Sequence, residues 1–478
     1  MLWVIVGLLA AAWHCAGCVN AQPRGTGTVT RPPNIILIVA DDLGRGELGC
    51  YGQKIIKTPT IDALAAGGLK FTNAYAGSCV CAPSRCTILT GLHTGHAAIR
   101  DNRELKPVGQ EPLPDASVTI ADLLQKQGYA TALVGKWGLG PPGSEGDPSR
   151  HGFDHFFGYY CQRHAHNHCP TYLYRNLDRI EIPGNKDQWA EGELAPGATY
   201  APDLMREEAL GFISENADKP FFLMFSTPVS HAALQVPEDS LAEYRGVFDD
   251  PPYDGKKGYL KHESPRAAYA AMVSRFDRDV GALLARLKEL GIDRNTLVVI
   301  TSDNGPTYNG GTDSAFFESA KGFKGLKGQL YEGGIRTPLI MSWPGRIAPG
   351  TESSFVTASW DFFPTFAALG QAPTSGLKLD GVDLTSLLIS GKEPSVRPTC
   401  YWEYSSGGGW QAVRMGEFKA VRRQARKQGG IEVYDLSVDP AETRDLAKER
   451  PDVVAAARNV MNARRASAVP DWELAAVP

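Results

Sequence analysis

"NIILIVADDLG", residues 34–44, carries six apolar residues without a break, Ile35 to Ala40, followed at once by two acidic ones, Asp41 and Asp42. A half-exposed strand would alternate polar and apolar residues. An unbroken run reads instead as a strand covered on both faces, as in a parallel sheet between helix layers. The pattern recurs in "ATALVGKWGLG" (130–140), "FFLMFSTPVSH" (221–231) and "TLVVITSDNG" (296–305). Between these runs the periodicity changes. In "YAAMVSRFDRDVGALLARL" the residues Tyr269, Met272, Val273, Phe276, Val280, Leu283, Leu284 and Leu287 recur at three- and four-residue steps, one face of an amphipathic helix. "SVTIADLLQKQGYATALVG" reads as a helix capped by Ser117, a glycine stop and a strand. This alternation predicts an α/β fold, a doubly wound and mostly parallel sheet flanked by helices.

In open sheets of this kind, ligands bind beyond the carboxyl ends of the strands. The residues that follow the four runs are Lys136, His231, and the pairs Asp41–Asp42 and Asp303–Asn304. If the strands are parallel, these groups meet at one edge. Each acidic pair alone is as well explained by a turn or a helix cap. Together they offer the oxygen ligands that a hard divalent cation takes.

Composition adds boundaries. With 43% hydrophobic and 21% charged residues the chain is an ordinary globular protein, and a net charge of -4 gives no reason to expect nucleic acid as a partner. Residues 1–21 form a short apolar run ending in small residues, which reads as an export signal, with 22–32 as a polar linker. "CAGC" offers Cys18 for lipidation, the one route by which a membrane would become a partner; cleavage after Ala21 is the alternative. After about residue 370 the rhythm gives way to segments that look like antiparallel strands, then a helix over 450–465. The chain therefore divides into an N-terminal α/β region, 33–370, and a smaller α+β C-terminal subdomain, 371–478.

Beyond the leader stand seven cysteines, Cys50, Cys79, Cys81, Cys86, Cys161, Cys169 and Cys400. An odd number in an exported protein points to one with another task. No CxxC spacing exists among them, which argues against structural zinc. In "GSCVCAPSRCTILTG" (77–91), Pro83 suits the first turn of a helix. That places Cys81 at a helix N-terminus, where amides and dipole favour an anion, and Arg85 one turn deeper. The position suits either a reactive thiolate or an anionic substrate. Cys79 and Cys86 each read as structural or disulfide-bonded, with the pairing left open.

"CAPSRCTILTG" resembles the Cys-x-Pro-Ser-Arg…Leu-Thr-Gly signature of the sulfatases, in the alkaline phosphatase superfamily. "ADDLG", "GKWGLG", "HGFDHFFGY", "TSDNGP", "GLKGQLYEGGIRTP", "DFFPT" and "YDLSVDPAE" look like further sulfatase motifs in order. The resemblance implies that a maturation enzyme oxidises Cys81 to Cα-formylglycine. It implies that Asp41, Asp42, Asp303 and Asn304, with residue 81, bind a divalent metal, Ca²⁺ with Mg²⁺ as the alternative. Arg85 would orient the formylglycine, Lys136 and Lys327 would hold the sulfate, and His231 would stand beside the leaving group. A gem-diol hydroxyl would then attack sulfur, and the second hydroxyl would collapse to the aldehyde and expel sulfate from the sulfoenzyme. The substrate implied is a sulfate ester on a sulfated carbohydrate. The readings set against it are a phosphonate monoester or phosphodiester hydrolase on the same scaffold, and a non-catalytic sulfated-glycan binding protein.

One departure stands out. Many sulfatases read "GKWHLG", where this chain has Gly138. "CQRHAHNHCP" (161–170) supplies His164, His166 and His168 nearby. His164 or His166 is expected as replacement base or substrate contact, with polar loop residues as the bland reading. Cys161 and Cys169 bracket the segment and could pin it by a disulfide. The run Arg414, Lys419, Arg422, Arg423, Arg426 and Lys427 reads as a solvated face in preference to a glycan contact. Asp439 and Glu442 read as structural, and His93 and His96 take no role.

Overall fold

The computed structural model describes residues 31–186, 197–256, 258–395, 399–427 and 429–463, together with Trp472 and Leu474. The export signal, the lipidation alternative and most of the linker lie outside the described residues. Each of the four apolar runs forms a strand, and the four lie side by side. Thr296–Ser302, Asn34–Ala40, Phe221–Ser226 and Ala130–Lys136 are neighbours in that order and all parallel. His155–Tyr159 adds a fifth parallel strand. Antiparallel strands extend both sides, Leu339–Ser342 on one and Tyr172–Arg175 with Asp178–Glu181 on the other. Leu69–Phe71 and Thr351–Ser353 complete a ten-stranded sheet.

Alternation along a strand sends neighbouring side chains to opposite faces. Ile36 and Ile38 join a core with Tyr269, Met272, Phe276 and Val280 of the long helix Pro265–Glu289. Ile35, Leu37 and Val39 join another with Cys86, Ile88 and Leu89 of the helix Cys81–Thr90 and with Phe362 and Phe366. Every side chain of Asn34–Ala40 is buried, which is why the run contains no polar alternation. The helix ahead of Ala130–Lys136 spans Ile120–Lys126, and its cap is Thr119 rather than Ser117. Thr119 Oγ1 accepts from Asp122 N, and the Asp122 carboxylate accepts from Thr119 N, a reciprocal cap that Ser117 is too distant to make.

The C-terminal strands Cys400–Tyr404, Trp410–Met415, Phe418–Arg423 and Ile431–Asp435 form an antiparallel meander. One face packs on the helix Pro451–Ala463 through Val453, Ala457 and Met461. The other packs on Tyr75, Val80, Leu330 and Trp360, close to the start of the Cys81 helix. The basic run within it is not a uniformly solvated face. Arg414, Lys419 and Arg422 are buried while Arg423, Arg426 and Lys427 are exposed, because the middle of the sheet is covered on both faces whereas Arg423 ends its strand and Arg426 and Lys427 lie beyond it. Among the described residues no helix is long and apolar enough to cross a membrane.

Candidate active site

The sheet register places the acidic pairs together. Ala40 is paired with Ser302, so Asp41 and Asp303 leave the sheet side by side. Asp303 N donates to Ala40 O, and Asp303 Oδ1 accepts from Asp42 N at 3.2 Å. Asp42 has a left-handed backbone, φ 64, which breaks the alternation of the strand just where it ends. Asn304 Nδ2 donates to Asp42 Oδ1 at 2.7 Å, while Asn304 Oδ1 is buried with no hydrogen-bond partner among the described residues.

Cations arrive from three other segments. Lys136, at the end of the next strand but one, sets Nζ 2.5 Å from Asp41 Oδ2. Lys327 Nζ lies 2.8 Å from Asp42. Arg85 Nη2 donates to Asp303 Oδ2 at 2.7 Å, and Nη1 donates to Lys136 O and to Ser226 Oγ. Its Nε is buried without a partner among the described residues. Three carboxylates and three cations thus meet in one buried cluster.

Cys81 is the first residue of its helix and 2% exposed, with Sγ 3.4 Å from Asp41 Oδ1. Val80 before it is extended, and Asn102 Oδ1 accepts from Ala82 N. Burial, then the Asp41 carboxylate beside it, push the Cys81 thiol up to about 12 against the pull of Lys136 and Lys327. No disulfide joins Cys161 to Cys169, and Cys79 and Cys86 are unbridged too, which overturns the expected pin across the histidine segment and the disulfide reading of Cys79 and Cys86. Cys79 and Cys86 belong to different hydrophobic clusters, on either side of Cys81.

His231 closes the site from the loop after Phe221–Ser226. Its Nδ1 meets Ala232 O at 2.5 Å and its Nε2 lies 3.5 Å from Asp42 Oδ2. A backbone acceptor on Nδ1 selects the tautomer protonated there, leaving Nε2 for the cavity. His168 Nε2 donates to His231 O, and Ala233 N donates to His166 O, tying the histidine segment to this loop. His166 stacks on His231 with ring centres 4.3 Å apart. His164 instead packs on Tyr172 and Tyr159 and is absent from the lining of the cavity. Burial, then neighbouring cations, hold both His166 and His231 well below the usual imidazole range.

Ligand atoms of Asp41, Asp42, Cys81 and His231 all lie within 4.8 Å of one another. Asp303 falls outside that group, its oxygens being taken by Asp42 N and Arg85. Burial works to raise the Asp41 carboxyl, but Lys136 and the other cations outweigh it and hold it well below the usual range; burial wins at Asp303, raised to about 6. The cluster opens into a cavity of about 230 Å³ lined by Cys81, Lys327, His231, His166, Asn102, Gln162, Tyr259 and Tyr404 among others. Asn102, Gln162, Tyr259 and Tyr404 carry no motif that sequence reading isolates. Gln162 alone had a signal, its place in the same short segment as His166.

Residues 33–372 match the protein family described as Sulfatase, and residues 325–465 match that described as N-sulphoglucosamine sulphohydrolase, C-terminal. Human arylsulfatase A is 33% identical, over 90% of this chain and 87% of its own. The N-acetylgalactosamine-6-O-sulfatase of Bacteroides thetaiotaomicron is 28% identical, over 94% and 96%. A crystal structure described as Ps i-CgsB in complex with k-i-k-neocarrahexaose superposes with a TM-score of 0.77 at 27% identity, covering 93% of this chain and 95% of that one.

Proposed function

The chain belongs to the sulfatase family and hydrolyses sulfate esters, and from that premise we propose that Cys81, as Cα-formylglycine, carries the nucleophile against a sulfated carbohydrate. The observation that carries this reading is the seat of Cys81. It heads a buried helix, 3.4 Å from Asp41 and in one cavity with Lys327 and His231. As a cysteine it is a poor nucleophile there, with its thiol pushed up to about 12 by burial. A hydrated aldehyde at the same place would supply a hydroxyl to attack sulfur and a second hydroxyl to release sulfate afterwards.

The chain's own residues then have separable tasks. Arg85 is fixed by Lys136 O, Ser226 and Asp303, which leaves its buried Nε–H to orient residue 81. Lys136 and Lys327 offer positive charge to the sulfuryl oxygens, where charge accumulates in the transition state. His231 exchanges a proton with the leaving oxygen through Nε2, with Lys327 beside it. His166, stacked on His231 and held neutral by burial, is the base in place of the side chain that Gly138 lacks.

A divalent cation fits the donor set. Asp41, Asp42, Asp303 and Asn304 would hold it, and the buried, unpartnered Asn304 Oδ1 is the orphaned acceptor such an ion takes up. When bound it supplies Lewis-acid charge to the sulfuryl oxygens and to residue 81. Ca²⁺ is the ion proposed, with Mg²⁺ second. The names of the relatives, a galactosamine sulfatase and a carrageenan-oligosaccharide complex, support a sulfated carbohydrate. The apolar N-terminal run supports export. The chemistry is carried by 33–370, with 371–478 as the smaller C-terminal subdomain.

The test is intact mass of the Cys81 peptide after co-expression with a formylglycine-generating enzyme. Conversion removes about 18 Da. Turnover of sulfated N-acetylgalactosamine isomers by that material, and none by Cys81→Ala, supports the reading. An unmodified thiol in active enzyme overturns it.

A further inference from the structure

The Gln162 carboxamide fills the space over Gly138. A Cβ on Gly138 would stand 2.1 Å from Gln162 Nε2 and 2.8 Å from its Cδ. Residue 138 has φ +77, a conformation that glycine adopts without strain, and its N–H donates to Tyr160 O at 3.2 Å. The pairing of Lys136 with Tyr159 sets the two segments side by side as they leave the sheet. The turn closed by Ala165 N on Cys161 O carries Gln162, and His166 follows it directly. Gln162 therefore stands where a side chain on residue 138 would grow.

Its carboxamide is in an unfavourable state. Gln162 is 5% exposed, and neither amide atom has a hydrogen-bond partner among the described residues. Burying an amide unpaired costs free energy that an apolar side chain of the same length would not. Gln162 faces the cavity that holds Cys81, Lys327, His231 and His166. A local rule broken beside a reaction cavity is where function is expected. The neighbouring donors and acceptors define what is missing. Lys327 can only donate, and Asn102 Oδ1 is taken by Ala82 N. A carboxamide adds an acceptor and a donor, and stays neutral at every working pH.

We propose that Gln162 is a substrate-contacting specificity residue that reads a hydroxyl of the carbohydrate beside the sulfate ester. Its Oε1 accepts from that hydroxyl and its Nε2 donates to an ester or sulfuryl oxygen. Rotating the carboxamide by a half-turn exchanges these partners, so a substrate offering both is bound in either sense. The inference rests on the sulfatase reading above and adds how such a site prefers sugars to other sulfate esters. Gln162 cannot replace the missing imidazole as a base, so it selects and positions while the proton moves elsewhere.

The experiment uses matured enzyme, wild type, Gln162→Leu and Gln162→Glu, on the better of N-acetylgalactosamine 4-sulfate and 6-sulfate and on 4-nitrophenyl sulfate, which has no hydroxyl beside its ester. Gln162→Leu should lose about tenfold or more in kcat/KM on the sugar, the scale of one neutral hydrogen bond, with a smaller loss on the aryl ester. Its Tm should equal or exceed that of wild type, since two unpaired polar atoms are gone. Gln162→Glu should raise KM on both substrates by repelling the sulfate. Equal losses on both substrates for Gln162→Leu, or an unchanged sugar kcat/KM with a lowered Tm, would assign a packing role and overturn the proposal. Wild type that cleaves only the aryl ester overturns it as well. Absence of turnover on every ester strikes instead at the formylglycine reading.

Discussion

Lys419 and Glu332 form an ion pair, Nζ to Oε1 2.9 Å, in which neither side chain has any exposed surface. The same Nζ lies 3.0 Å from Glu442 Oε1, and Glu442 Oε2 accepts from Glu332 N. Glu332 begins the short helix Glu332–Ile335, five residues after Lys327, and Lys419 sits on the C-terminal sheet. The pair thus ties that sheet to the segment that delivers a site lysine. Removing one partner of a buried pair leaves the other charge stranded. Lys419→Met should lower stability by about 3–5 kcal/mol in thermal or denaturant unfolding. Arg423→Ala, at the exposed end of the same strand and paired with Glu432, should change it by under about 1 kcal/mol.

Glu47 lies under the acidic edge, accepting from Gly44 N and from the Tyr269 hydroxyl, both at 2.6 Å. Burial raises its carboxyl from 4.5 to about 7. Below 4.5 both folded and unfolded chains hold the proton. Between 4.5 and 7 the folded chain holds it more often, so stability falls as pH rises through that window. The contribution is up to about 3 kcal/mol, fully present at the acid end. Glu47→Gln should flatten that part of a stability–pH curve measured in denaturant.

Three carboxylates around an unpartnered Asn304 oxygen predict a stabilising response to cations. At about 100 times its dissociation constant, Ca²⁺ should add about 2.7 kcal/mol to stability, read as a rise in Tm that a chelator reverses. Asp42→Asn keeps the shape and removes a charged ligand. It should abolish most of that rise and lower kcat/KM by about a hundredfold or more. An unchanged Tm response in Asp42→Asn would remove Asp42 from the cation site.

Arg85 reaches three different segments with one guanidinium, at Lys136 O, Ser226 Oγ and Asp303 Oδ2. A lysine keeps the charge but not the fork. If Arg85 orients the nucleophile as proposed, Arg85→Lys should lose activity by about two orders of magnitude or more, with the loss in kcat rather than KM.

The sheet was legible because burial on both faces forces unbroken apolar runs, and Asn34–Ala40 and Thr296–Ser302 have nothing else to be. The meeting of Asp41, Asp303, Lys136 and His231 followed from parallel strands, which fix where each run ends. What sequence could not give were relationships between side chains from different segments. The placing of Gln162 over Gly138 depends on how two loops leave adjacent strands. The inward half of the basic run was hidden because Arg414 and Lys419 look like any surface charge until Tyr75, Glu332 and Glu442 surround them. The cysteines misled because spacing along the chain says little about whether sulfur atoms meet in space.

His164 and His166 were indistinguishable by sequence, two residues apart in one segment, and the fold separates them. His166 stacks on His231 and lines the cavity with Cys81, whereas His164 turns to Tyr172 and Tyr159. Burial and the neighbouring cations depress the His166 imidazole well below its ordinary range, which keeps a lone pair available at neutral pH. If it removes the proton that lets residue 81 shed sulfate, its loss should stop the second half of the cycle and spare the first. His166→Ala should then give one burst of alcohol per enzyme, followed by turnover slowed by about two orders of magnitude or more. The sulfated peptide should be visible by mass in the quenched enzyme. His164→Ala should retain near-normal turnover with a modest fall in Tm, from lost ring packing. A His166→Ala enzyme that cycles without a burst, at the wild-type rate, would leave the proton to another group.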